Sequence, residues 1–341
     1  MIKFEKRIVK SKFRSPRKNF GIDEQEIEFR KDPLTGRWCR ININRVKRFR
    51  NIKKDRFLKE MIKESKVNCP FCEENIDRAT SKFIETDRLK LGDSIIFPNL
   101  FPYSKNHGVV VLSVRKHYLH LNEISSKLLF DSLKNSINFF KFIYSKDKKS
   151  KYPSINFNFM PPAAASIFHP HFQVILDDKP TYFTNLLIKK SLVYYKRYGS
   201  NFWFDLIKAE RKNKERFIGK NGDFYWIADF SPIKNNQVSG IISKKISCIV
   251  DLKDRNVKDL ANGLSKIFKK LWIKGVRSLN MVIFSGPINI DISNYFVVNL
   301  KIISRPALTH RYNSDIGFME LLHQESVVET LPEDVAKTLK F

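Results

Sequence analysis

One arrangement of residues occurs twice along this chain, and it limits the possible folds more than any other feature. Gly92-Asp93-Ser94-Ile95-Ile96-Phe97 is answered by Gly222-Asp223-Phe224-Tyr225-Trp226-Ile227, and Val111-Leu112-Ser113 by Ile241-Ile242-Ser243. Each pair reads as two strands. Helical spacing follows in the first copy (Ile124, Leu128, Leu129, Leu133, Ile137, Phe140), with Asn122 as its cap, and residues 254–272 supply the helix of the second. Two more strands close each copy, at 154–159 and 170–176 and then at 279–284 and 296–303, with Lys179-Pro180 and Arg305-Pro306 as the stops. The expectation is an α+β chain of two tandem units, each a mainly antiparallel sheet with helices. The units divide as residues 26–190 and 191–341, behind a basic, flexible arm at 1–25 whose lysines and arginines lack apolar periodicity.

The chain has 341 residues, 42% of them hydrophobic, enough for a large core or two domains. No run approaches the roughly 20 apolar residues of a membrane span. Met1-Ile2-Lys3-Phe4-Glu5-Lys6-Arg7 offers no apolar core for a secretory leader, so a cytoplasmic location without a membrane partner is expected. A formal charge of +28 suits phosphate-bearing partners. Nucleic acid is among these but is not favoured, because lysine is spread with Ile, Asn and Phe along the whole chain. Phosphorylated small substrates gain from the same field.

Only the first copy carries histidines on its last strand. In His169-Pro170-His171-Phe172-Gln173 strand alternation puts His169, His171 and Gln173 on one face and Phe172 on the other, while Val297 and Asn299 stand at the matching places of the second copy. A bare His-x-His is most often surface. Here it follows Asn158-Phe159-Met160-Pro161-Pro162-Ala163-Ala164-Ala165-Ser166, a small-residue loop whose amides can approach a phosphate. A neutral imidazole is a competent nucleophile toward phosphorus, and Gln173 adds donors without a titratable proton. The four cysteines are Cys39, Cys69, Cys72 and Cys248; the spacing Cys69-Pro70-Phe71-Cys72 points to metal or redox chemistry, and supplies one edge of a tetrahedral zinc site. A pair of reduced buried thiols is the plainer alternative.

The histidine segment resembles the signature of the galactose-1-phosphate uridylyltransferase family, a branch of the histidine-triad superfamily. Asp32-Pro33-Leu34-Thr35-Gly36-Arg37-Trp38 with Arg45 and Arg48, Cys69-Pro70-Phe71-Cys72, and Phe97-Pro98-Asn99-Leu100-Phe101-Pro102 match in the same order. The resemblance covers residues 27–176 specifically and the remainder weakly. It implies two histidine-triad-like units in a homodimeric enzyme of galactose and nucleotide-sugar metabolism, handling a nucleotide sugar and a sugar phosphate. His171 is implied as the nucleophile that takes a nucleoside monophosphate from a nucleoside diphosphate sugar and passes it to a hexose 1-phosphate. Asn158, Ser166 and Gln173 match phosphate-contacting positions, Arg45 and Arg48 basic substrate contacts, and Asn99 a nucleoside loop. His117 and His169 match the remaining ligands of one structural zinc site per chain, with His120 as runner-up to His117.

Two residues depart from the pattern where glycine is usual, Phe172 and Ala164. The second copy lacks histidines for a further metal, and Glu320, His323 and Gln324 take no role by resemblance. Two other readings stand beside the transferase. One is a phosphorylase or hydrolase that splits a nucleotide sugar or dinucleoside polyphosphate through the same histidine. The other is a basic nucleotide- or RNA-binding relic without catalysis.

Overall fold

The computed structural model describes residues 2–47, 57–308 and 314–341; Arg48 lies outside them. Strands β1 (Glu5–Ser15), β2 (Gly21–Lys31) and β3 (Trp38–Ile41) come first, then helices α1 (Phe57–Lys66) and α2 (Ile76–Ala79). The first copy follows as β4 (Leu89–Leu91), β5 (Ser94–Pro98), β6 (His107–Val111), α3 (Ser126–Lys146), β7 (Tyr152–Phe159) and β8 (His171–Asp177). Helices α4 (Tyr182–Tyr198) and α5 (Phe202–Asn213) lead to β9 (Phe217–Asn221), β10 (Phe224–Ala228), β11 (Val238–Ile242), α6 (Asp254–Ile273), β12 (Ser278–Phe284) and β13 (Asn299–Arg305). The chain closes with α7 (Phe318–Leu321), β14 (Ser326–Val328) and α8 (Pro332–Leu339).

The repeat becomes one ten-stranded sheet, ordered β4-β5-β6-β8-β7-β12-β13-β11-β10-β9. The second five are the first five in reverse, joined where β7 and β12 pair antiparallel from Leu279↔Phe159 to Phe284↔Ser154. The two hairpins at the sheet ends are built alike. Gly92 (φ +58°) and Gly222 (φ +55°) turn β4 into β5 and β9 into β10, and an added Cβ would collide with Asp131 of α3 or Asp259 of α6.

One face of the sheet rests on α3 and α6 through a single apolar core that runs across both copies. Phe172 belongs to that core, wholly buried, its ring 5.1 Å from Phe157 and edge-on to it. The bulky residue in place of glycine is thus accommodated by strand alternation. Phe172→Ala should cost about 3–5 kcal/mol, the price of a phenyl-sized cavity, read as a lower urea midpoint at unchanged slope.

Three expectations need correction. The basic N-terminal stretch is not a free arm: β1 and β2 pair over eleven residues, from Glu5↔Lys31 to Ser15↔Gly21. Its lysines face acidic partners across the strands, with Lys10 Nζ 2.8 Å and Lys12 Nζ 3.2 Å from Glu24, and Arg7 lies 4.5 Å above the Phe29 ring. Apolar periodicity is absent because cross-strand charge pairs do the matching. Asn122 does not cap α3; a short 3-10 turn at Leu121–Glu123 intervenes, and Ser125 Oγ accepts the Leu128 amide at 3.3 Å. The last strand of the second copy starts at Asn299 rather than 296, since Val298 N donates to Ile246 O outside the ladder.

Candidate active site

His171 opens β8 and His169 stands two residues before it, both buried. Val111↔His171 and Val109↔Gln173 pair across β6 and β8, so these side chains share the face away from the Phe172 core. Asn156↔Gln173 across β7 puts Asn156, and by alternation Asn158, on that face too. His171 Nδ1 lies 2.8 Å from the His169 carbonyl oxygen. A carbonyl only accepts, so Nδ1 carries the proton and Nε2 keeps a bare lone pair, which meets no hydrogen-bonding partner among the described residues. Burial lowers the His171 pKa and so favours the neutral, nucleophilic form. The Phe71 ring, 5.1 Å away and edge-on, walls one side.

Phe71 comes from the Cys69-Cys72 turn, which brings the metal candidates together. The ligand atoms of Cys69, Cys72, His117 and His169, all buried, lie within 4.8 Å of one another. Second contacts fix both imidazoles. His169 Nε2 donates to Ser113 O at 2.7 Å, and His117 Nε2 lies 2.9 Å from Ser65 Oγ, whose own proton goes to Ile62 O. Both rings therefore turn a bare Nδ1 toward the cysteines: His117 at 3.4 Å from Cys72 Sγ, His169 at 3.7 Å from both sulfurs. Burial brings His169 down to about 4, and burial with Cys69 pushes the Cys72 thiol up to about 12. A divalent cation is the charge that would draw these thiols to thiolate. Two soft sulfurs, two neutral imidazoles and closure from solvent fit a structural ion of the zinc type. His120 is elsewhere, stacked on Trp272 at 4.6 Å.

The remaining candidates fall in three places. Asn158 borders the small-residue loop: its Oδ1 accepts Asn280 Nδ2 at 2.8 Å, and the same Asn280 amide reaches Ala163 O at 2.8 Å. The second copy thus braces the loop through β12, which the sequence did not reveal. Ala164 ends the loop's 3-10 turn at φ +65°, the left-handed region where a side chain costs about 1 kcal/mol and glycine none. Ser166 is exposed beyond it. Asn99 joins Gln173 through a residue that sequence reasoning missed, His107, whose Nε2 lies 3.2 Å from Asn99 Nδ2 and 3.1 Å from Gln173 Oε1. Arg45 sits half-buried on the 3-10 turn after β3. Glu320, which took no role by resemblance, caps α7 by accepting the Gly317 amide and pairs with Lys234 at 3.0 Å.

The matching face of the second copy has the same backbone device without the chemistry. Asn299 Nδ2 donates to Val297 O at 2.9 Å, as His171 does to His169 O, and Lys301 stands at the place of Gln173 in an ion pair with Asp229. Helices α4 and α5 cover it with Phe183, Leu187, Trp203 and Leu206, leaving a narrow pocket of about 30 Å³, room for water and not for a nucleotide.

No family model matches the chain. An uncharacterised protein of Archaeoglobus fulgidus is 29% identical over 326 residues, covering 94% of this chain and 93% of its own. Among solved structures, the ADP-glucose phosphorylase of Arabidopsis thaliana with bound ADP-glucose superposes with a TM-score of 0.74 at 20% identity, over 92% of this chain and 98% of that one. A galactose-1-phosphate uridylyltransferase-like protein of the same plant gives 0.71 at 20%, over 92% and 98%, and a uridylyltransferase 0.67 at 20%, over 92% and 97%. The chain has the mixed α+β fold that these uridylyltransferase-like and phosphorylase structures share.

Proposed function

We propose that this chain is a nucleotidyl-transferring enzyme that moves a nucleoside monophosphate from a nucleoside diphosphate sugar to a phosphate-bearing acceptor through a covalent nucleotidyl-His171. The observation that carries this reading is the state of His171, with Nδ1 tied to the His169 carbonyl and Nε2 without a partner among the described residues, on the sheet face opposite α3 and α6. In the first step the Nε2 lone pair attacks the α-phosphorus, the bond to the bridging oxygen breaks, and a sugar phosphate leaves with that electron pair. In the second, an oxygen of the acceptor phosphate attacks the same phosphorus and Nε2 departs. Asn158, Ser166 and Gln173 hold the phosphoryl oxygens, Arg45 and Arg48 add positive charge, and Asn99 faces the nucleoside. Cys69, Cys72, His117 and His169 would hold a structural ion that ties the N-terminal segment to the strand of His171.

Two acceptors are consistent with this chemistry. A hexose 1-phosphate makes the protein a transferase, and inorganic phosphate makes it a phosphorylase, the activity named for the Arabidopsis structure with bound ADP-glucose. Protein labelled from UDP-glucose or ADP-glucose carrying ³²P at the α-position, then freed of excess nucleotide, should lose its label to one of them. Discharge by galactose 1-phosphate and not by phosphate establishes the transferase. The opposite result establishes the phosphorylase, and loss to water alone a hydrolase.

A further inference from the structure

The structure assigns to His107 the task of setting which end of the Gln173 amide faces the substrate. His107 opens β6, is 4% exposed, and lies against the tilted ring of Tyr103 with ring centres 4.1 Å apart. Gln173 Oε1 receives Tyr103 Oη at 2.8 Å and His107 Nε2 at 3.1 Å. His107 Nδ1 is buried and has no partner among the described residues.

These facts select one tautomer. With the proton on Nε2, the N–H is used at Gln173 and only a lone pair is left buried at Nδ1. With the proton on Nδ1, a buried N–H has no acceptor and the Nε2 lone pair opposes the Gln173 oxygen, so two penalties add. Burial also lowers the His107 pKa, which disfavours the doubly protonated ring. Two donors then hold Oε1, and the Gln173 NH₂ group, without a partner among the described residues, is left on the face that carries His171. Reversing the amide would demand the Nδ1 tautomer and restore the orphaned N–H. Asn99 Nδ2 lies 3.2 Å from the same imidazole nitrogen with its carbonyl oxygen fixed by the Phe101 amide at 2.9 Å, so the Nε2–H tautomer sets two donors against each other there, a cost set against the two of the alternative. His107 thus acts through its neighbour, as a positioning residue for the Gln173 amide.

This assignment rests on the nucleotidyl-transfer reading for its kinetic consequence and on hydrogen bonding alone for the tautomer, so the test has two arms. In single-turnover labelling from the nucleotide sugar that labels the unmodified protein, His107→Ala should slow labelling roughly 10- to 100-fold at nearly unchanged half-saturation. His107→Gln, whose amide reaches about as far as Nε2, should recover most of it. In a Gln173→Ala background the alanine substitution should cost less than about twofold, because its effect passes through the absent amide. An equal loss in both backgrounds, or a His107→Gln variant no better than alanine, overturns the assignment. In the second arm, ¹⁵N-histidine NMR of the unmodified protein should report the Nε2–H tautomer for His107, perturbed by Gln173→Ala; an Nδ1–H tautomer overturns it. If no nucleotide sugar labels the protein, the enzymatic reading fails and the NMR arm alone decides the role of His107.

Discussion

A His171→Gly variant should fold, keep its metal stoichiometry and take up no nucleotidyl label, with turnover reduced by at least ~10⁴-fold. The size follows from what is removed. The residues proposed to hold phosphate remain, but the other imidazoles on that face are poor substitutes: His169 spends one nitrogen on Ser113 and turns the other to the cysteines, and the free Nδ1 of His107 is buried. Some stability is lost, since a glycine in a strand costs roughly 0.5–1 kcal/mol and the buried ring leaves a void beside Phe71. Chemical denaturation of the variant separates this modest change from the kinetic one. Turnover within tenfold of the unmodified protein would mean that another group attacks phosphorus.

Replacing Cys69 by serine should remove the metal and destabilise the chain. Elemental analysis should give about one divalent ion per chain for the unmodified protein and less than ~0.1 for Cys69→Ser. The loss in stability should reach at least about 3 kcal/mol, since three ligand side chains remain buried without their ion. The consequence should reach the nucleophile. His169 lends its carbonyl to His171 Nδ1 while its ring faces the cysteines, so loosening that ring frees the His171 tautomer. Labelling should therefore slow as the metal is lost, with the nucleotide still bound. A fully stable Cys69→Ser protein would mean that the cluster is a packing feature.

What could be read from the sequence follows from the range of the interactions involved. The repeat was visible because apolar periodicity is local, and so was the common face of His169, His171 and Gln173, which needs only alternation along one strand. The β1–β2 hairpin was hidden because its two faces are largely polar and its specificity lies in partners such as Lys10 and Glu24, far apart in the chain. The covering of the second copy by α4 and α5 was equally out of reach. Nothing local tells Leu187 or Trp203 which sheet face to cover. His107 illustrates the intermediate case: its place at the head of an apolar run marks it as a strand residue, but the neighbour that gives it meaning, Gln173, sits on the strand that β6 pairs with. The role of Asn280 at the small-residue loop depends on the β7–β12 junction between the copies.

The two copies also differ in what the matching strand offers. Asn299 reproduces the side-chain-to-carbonyl hydrogen bond of His171, so the strand geometry is retained where the imidazole is not. The contrast isolates the central claim, that a bare Nε2 on β8 attacks phosphorus. Intact-mass spectrometry of the protein after incubation with UDP-glucose or ADP-glucose tests it most directly. The account predicts a gain equal to one nucleoside monophosphoryl group per chain, located on His171 by peptide mapping and absent from His171→Gly. An unchanged mass during demonstrable turnover, or an adduct on any other residue, would contradict it.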